Sequence, residues 1–224
     1  VIAGTGSNAT SEAIRLTKHA QDAGVDATLQ VNPYYNKPTQ KGLYLHFKAV
    51  ADAVNIPVIV YNIKGRTGIN VETPTLVKLM NDCENIQGVK EASGNLDQMK
   101  DVIQNRSNGF SVLSGDDNMT LSLLRAGGDG VVSVASNLIP RKMVDFVHAA
   151  LDGDFDKAQQ EEDRLMEFFK SLFLETNPIP IKTAMAMRGW CEETFRLPMC
   201  SFSDDAHYKT LEGILDRIGA PQAK

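Results

Sequence analysis

Pro57-Val58-Ile59-Val60-Tyr61-Asn62 is a short run rich in β-branched residues that ends abruptly in two polar side chains. Up to Val60 it is continuously apolar and does not alternate, the pattern of a strand covered on both faces in a parallel sheet. Working outward, five more runs of this kind occur: Val1–Ala3, Ala27–Val31, Ile86–Lys90, Phe110–Leu113 and Gly130–Val134. Their starts fall roughly 20–30 residues apart, the spacing of repeated βα units.

Helical patterns fill the intervals. Ser11–Ala23 places Ile14, Leu16 and Ala20 near one face and stops at Gly24. Gln40–Val54 spaces Leu43, Phe47 and Val50 by three and four, and Thr73–Met80 does the same with Leu76, Val77 and Met80. Asn95–Ile103, Asn118–Ala126 and Pro140–Leu151 complete this set. After the last strand the pattern changes, and Phe155–Phe173, Ile179–Arg188 and Ser203–Ile218 read as three helices with no strand between them. No Gly/Ser- or Pro-rich linker separates the βα units, so they form one domain. An open doubly wound sheet and a closed barrel are the two architectures for such a series, and both build their sites at the carboxyl ends of strands.

Composition narrows the function. The 224 residues carry 23 Lys and Arg against 28 Asp and Glu, a net charge of -5, which disfavours nucleic acid or an anionic membrane as partner. Cys83, Cys191 and Cys200 are three, widely spaced and without a CxxC pair, so neither a disulfide framework nor a structural zinc site is expected. Reduced thiols point to the cytoplasm, and no apolar run reaches membrane-spanning length. Gly4-Thr5-Gly6-Ser7-Asn8 is neither a dinucleotide nor a Walker loop and reads as a turn into a helix capped near Thr10 or Ser11.

Chemistry collects at strand ends. Lys90 closes the run Ile86-Gln87-Gly88-Val89 and is followed by Glu91-Ala92-Ser93-Gly94-Asn95. Desolvation at a barrel mouth favours the neutral amine, which can attack a carbonyl. A lysine snorkelling to solvent or pairing with Glu91 is the alternative. Tyr61, one strand away, suits proton transfer during loss of water from a carbinolamine, or simple aromatic packing. Arg66, in a flexible loop after Asn62, suits bidentate capture of a carboxylate, or stands as an exposed charge. Tyr34 and Tyr35 lie in the Pro-bracketed loop Pro33–Pro38, fit for an interface or a proton relay. Gly115, in Leu113-Ser114-Gly115-Asp116-Asp117, allows backbone to approach a small ligand. Asp116 and Asp117 read as caps of the following helix rather than metal ligands. His19, His46, His148 and His207 fall on helices away from strand ends and serve packing or surface roles.

Together, PYYNKP (33–38), YNIKGRTG (61–68), GVKEASGN (88–95), LSGDD (113–117) and GVVSVASN (130–137) resemble the dihydrodipicolinate synthase family, and NPIPIKTAM (177–185) and FRLPM (195–199) also fit. The resemblance runs in register over nearly the whole chain. It implies a TIM (β/α)8 barrel with a three-helix C-terminal extension, residues 1–152 supplying βα units three to eight and 153–224 the extension. A full barrel takes about 250 residues, so the first two units, with the family's threonine pair, are expected to precede Val1.

The resemblance also implies roles. Lys90 forms a Schiff base with pyruvate, Tyr61 exchanges protons beside it, and Tyr35 reaches a neighbouring subunit's site to complete a relay. Arg66 binds the carboxylate of aspartate semialdehyde. Val132 presents a main-chain carbonyl near pyruvate, and Gly115 lies at the same substrate. Asn8, Glu12 and Tyr34 line a lysine feedback pocket at a tight-dimer interface. A cytoplasmic homotetramer with no metal and no organic cofactor is implied. Lys64 stands where the family usually has proline. Competing readings are a sister aldolase, such as N-acetylneuraminate lyase or a keto-deoxy-sugar aldolase, and an inactive truncated member. Arg66 in the RTG motif favours a short carboxylate-bearing aldehyde.

Overall fold

The computed structural model describes residues 1–223. Six strands, β1 (Ile2–Gly4), β2 (Ala27–Val31), β3 (Val58–Asn62), β4 (Ile86–Glu91), β5 (Ser111–Ser114) and β6 (Gly130–Val131), form one sheet. They lie in sequential order and every neighbouring pair is parallel. Parallel pairing of consecutive strands demands a crossover, and helices supply it. These are α1 (Thr10–Asp22), α2 (Gln40–Ala51), a one-turn α3 (Lys64–Thr67), α4 (Thr73–Asp82), α5 (Leu96–Asn105) and α6 (Thr120–Arg125).

The chain divides into two compact units, the first made of residues 1–115 and 122–131, the second of 116–121 and 132–224. The second contains α7 (Pro140–Leu151), α8 (Phe155–Ser171), α9 (Ile179–Met187) and α10 (Asp205–Arg217). Its core includes Phe146, Phe168, Phe169 and Leu172, all 1 % exposed or less.

All six expected strands form. In the first unit Leu43, Phe47 and Val50 are fully buried, as their spacing predicts. Three readings are corrected. The strands are not covered equally on both faces: β3 alternates buried and half-buried residues, because Ile59 and Tyr61 share a face distinct from that of Val58, Val60 and Asn62. On α1 the buried positions are Ala13, Thr17 and Ala20, and Ile14 and Leu16 are only half-buried. A polar residue can hold such a position when its hydrogen bonds are made inside. The Thr17 hydroxyl meets Thr5 Oγ1 at 3.0 Å and accepts from Gln30 Nε2 at 2.8 Å. The residue preceding α1 is Ala9, with no side-chain cap. Ser7 Oγ instead accepts from the Ala9 amide at 3.2 Å.

The segment between Asn62 and Gly68 is the other surprise. Expected as flexible loop, it winds into α3, too short to show any hydrophobic period. Thr67 is buried, and its hydroxyl bonds to the Ile63 carbonyl at 2.9 Å and the Ile69 carbonyl at 3.0 Å. Gly68 ends the turn at φ 75°, a left-handed conformation that a Cβ would strain.

Candidate active site at the carboxyl ends of β3, β4 and β5

Register places the candidate residues. Tyr61 on β3 pairs with Lys90 on β4, and Lys90 pairs with Leu113 on β5. The amide of Ala92 donates to the Asn62 carbonyl at 2.9 Å, and that of Gly115 to the Glu91 carbonyl at 2.8 Å. These bonds continue the sheet past its formal ends and fix the rim on which the side chains stand.

Lys90 and Tyr61 project from the same face, with Lys90 Nζ 4.1 Å from the Tyr61 ring centroid. A ring face attracts positive charge, so it favours a cationic nitrogen here, whether ammonium or iminium. Both residues are half-buried. Gly115 borders Lys90 from the other side: a methyl group built on it would come within 3.1 Å of Lys90 Cε and 2.6 Å of Ala92 Cβ. Only glycine leaves that space open.

The alternative in which Lys90 pairs with Glu91 is not what forms. Adjacent residues of a strand face opposite sides, and Glu91 is wholly buried with both oxygens engaged elsewhere. Oε1 accepts from the Ser93 amide at 2.7 Å, and Oε2 from Asn62 Nδ2 at 3.0 Å and Gln98 Nε2 at 3.3 Å. Burial raises its carboxyl above the ordinary glutamate value, and the hydrogen bonds pull back against that. Sequence reasoning treated Glu91 only as a partner for Lys90. The signal it missed was period two.

Arg66 sits exposed on α3, directly after the end of β3. Lys37, in the loop carrying the two tyrosines, covers Gly68, where a methyl group would fall 2.9 Å from Lys37 Cε. That loop takes left-handed backbone at Tyr35 (φ 73°) and Lys37 (φ 44°). Tyr35 is 89 % exposed. Asn8 Nδ2 donates to the Tyr34 carbonyl at 3.2 Å, and Glu12 Oε2 accepts from the Ser7 hydroxyl at 2.6 Å, so Asn8, Glu12 and Tyr34 gather on one neighbourhood of the first unit. Val132 is half-buried and follows β6 directly, as the first residue of its stretch of the second unit.

Asp117 acts on a turn remote in sequence, beyond the helix it is expected to cap. Its Oδ2 accepts from the amides of Val134 at 3.1 Å and Ala135 at 2.9 Å, fixing the turn after β6. A long-range cap of this kind leaves no local trace in the sequence. Among the described residues no cluster of three His, Cys, Asp or Glu could hold a metal ion, and no helix is long and apolar enough to cross a membrane.

The model of the dihydrodipicolinate synthetase family matches residues 1–218. The 4-hydroxy-tetrahydrodipicolinate synthase of Aquifex aeolicus is 49 % identical over 221 residues, covering 99 % of this chain and 75 % of that protein. The crystal structure of the A. aeolicus enzyme superimposes with a TM-score of 0.97 at 47 % identity, over 100 % of this chain and 76 % of that one. The lysine-bound enzyme of Cyanidioschyzon merolae gives 0.95 at 44 % identity over 98 % and 74 %. The pyruvate complex from Acinetobacter baumannii gives 0.94 at 41 % over 97 % and 74 %. The sheet and its helical crossovers therefore have the TIM-barrel-like α/β architecture of these enzymes, and the chain belongs to the dihydrodipicolinate synthetase family.

Proposed function

We propose that this chain acts as a 4-hydroxy-tetrahydrodipicolinate synthase, a lyase-class enzyme that condenses pyruvate with L-aspartate 4-semialdehyde on the route to diaminopimelate and lysine. The observation that carries the reading is the Lys90–Tyr61 pair, level on adjacent strands with Gly115 holding space beside the lysine.

The amine of Lys90 adds to the pyruvate carbonyl, giving a carbinolamine that expels water to leave an iminium. Tyr61 delivers and removes the protons of this step, its ring lying against the charged nitrogen. The iminium accepts the electron pair released when the pyruvate methyl group loses a proton, and the resulting enamine attacks the aldehyde carbon of the second substrate. That substrate's amine then adds to the iminium carbon and displaces Lys90, closing the ring and freeing the lysine. Arg66 binds the semialdehyde carboxylate, and Gly115 borders pyruvate. The covalent chemistry rests on Lys90, with no organic cofactor or metal assigned to it.

In this reading residues 1–152 supply βα units three to eight of an eight-unit barrel and 153–224 a helical extension; the chain spans about three quarters of the length of its curated relatives. The exposure of Tyr35 suits a side chain that enters the site of a second copy, within a homotetramer of tight dimers. Asn8, Glu12 and Tyr34 form the lysine-binding corner, supported by their proximity. Three unpaired thiols fit a cytoplasmic setting.

Reduction with borohydride in the presence of pyruvate tests the reading. A pyruvyl adduct on Lys90 supports it, and its absence refutes it. Turnover of aspartate semialdehyde but not N-acetylneuraminate then separates the synthase from the sister lyases.

A further inference from the structure

Glu91 lies one residue beyond the candidate nucleophile, fully buried, and takes no part in the steps above. Among the described residues its hydrogen-bond partners are three neutral N–H donors, from Ser93, Asn62 and Gln98. The two amide side chains reach onward to one stretch of backbone. Asn62 Oδ1 accepts from the Val71 amide at 3.0 Å, and Gln98 Nε2 donates to the Val71 carbonyl at 3.0 Å. Asn70 Oδ1 accepts from Asn62 Nδ2 at 2.8 Å, and Asn70 Nδ2 donates to Gln98 Oε1 at 2.7 Å. Asn32, at the end of β2, donates to Asn62 Oδ1 at 2.9 Å and to the Ile69 carbonyl at 3.2 Å, and Gln40 of α2 donates to the Asn70 carbonyl at 2.8 Å. Four side chains, Asn62 and Asn32 from the ends of two strands and Gln98 and Gln40 from two helices, thus grip residues 69–71, and Glu91 stands behind two of them. The gripped stretch begins one residue after Gly68 and so anchors the far end of the turn bearing Arg66.

We propose that Glu91 is a positioning residue: its carboxylate orients Asn62 and Gln98, which clamp residues 69–71 and thereby set where Arg66 stands above Lys90. The donor pattern requires a carboxylate in particular. The Ser93 donor is backbone and cannot be exchanged for an acceptor. Asn62 cannot turn its amide over, because its oxygen is claimed by the Val71 N–H. Gln98 is held the same way, its nitrogen donating to the Val71 carbonyl. An amide at position 91 would always set one N–H against another, and a buried donor without an acceptor must move to find one. With its oxygen on the Ser93 amide, such a side chain turns its NH2 on Asn62 and Gln98 and passes the fault to residues 69–71, not to Lys90, whose side chain leaves the opposite face of β4.

The clamp itself stands on the geometry, and its kinetic consequence rests on the proposed reaction. The test is Glu91→Gln, with Gln98→Met as a second variant that keeps the buried carboxylate but removes one tether to Val71. Hydrogen exchange is followed by mass spectrometry, alongside pyruvate-adduct formation and kinetics with aspartate semialdehyde. In both variants amides in 69–72 exchange about tenfold faster or more while those of β5 keep their rates. KM for the semialdehyde rises about tenfold, with kcat and the borohydride-trapped pyruvate adduct within about twofold of the parent. Unchanged exchange in 69–72, or acceleration spread evenly over the first unit, overturns the proposal. So does an equal loss of adduct and semialdehyde use. If the parent protein forms no pyruvate adduct, the reaction assignment fails, and the exchange pattern alone still decides the clamp.

Discussion

Lys90 and Tyr61 stand level on neighbouring parallel strands, and the lysine nitrogen lies 4.1 Å from the centre of the tyrosine ring. The ring face meets the lysine nitrogen, and in the proposed reaction its hydroxyl carries the proton. Tyr61→Phe separates them. The phenyl ring keeps the packing and the cation contact, so thermal stability is retained. The rate of pyruvate-adduct formation falls by about 10²–10³, the usual worth of a positioned proton-transfer group. Rapid-quench borohydride trapping measures it.

Gly115→Ala places a methyl group 2.6 Å from Ala92 Cβ and 3.1 Å from Lys90 Cε. The lysine end can give way, but Ala92 is held by its amide on the Asn62 carbonyl. The variant loses about 1–3 kcal/mol of stability by overpacking, and the displaced Lys90 raises KM for pyruvate. Denaturant unfolding and steady-state kinetics report the two effects.

Arg66→Ala distinguishes the two substrates. Arg66 is exposed on α3, so its removal leaves the core intact and the pyruvate adduct undiminished. Loss of a charge-assisted pair to the semialdehyde carboxylate costs about 1.5–3 kcal/mol of binding, read as a rise in KM for that substrate at constant adduct yield.

His46 gives a pH signature of the fold. Buried between α2 and α1, with Nδ1 2.9 Å from Thr10 Oγ1, its imidazole is pushed below the ordinary 6.5 by burial. The neutral ring is accommodated at no penalty above pH 6.5. As the pH drops below 6.5 the unfolded chain takes up a proton that the fold refuses, so stability is lost down to the depressed folded value, with a slope of at most about 1.4 kcal/mol per pH unit. Glu91, raised above 4.5 by burial, works in the opposite sense, gaining stability as pH falls toward 4.5. Comparing the parent with His46→Gln isolates the histidine: the difference in unfolding free energy is flat above 6.5 and changes below it.

What the sequence made legible followed from periodicity and from residues at strand ends. Continuous β-branched runs marked every strand, and Lys90, Tyr61 and Gly115 come together because the register of parallel strands aligns positions at their carboxyl ends. Interactions between distant residues were not legible. Nothing local to Asp117 announces that it caps the turn at 134–135, and nothing in Thr17 shows that Thr5 and Gln30 will satisfy it inside the core. The one-turn helix around Arg66 is held by Thr67, and the residues that follow it, 69–71, by the amides of Asn32, Gln40 and Gln98, which no window on residues 61–68 contains.

The central claim is that Lys90 is the nucleophile, and intact-protein and peptide mass spectrometry after borohydride reduction with pyruvate tests it directly. The account predicts one reduced pyruvyl group per chain, confined to the peptide containing Lys90 and absent from Lys90→Ala. An adduct on another lysine, or none on the parent protein, would contradict it.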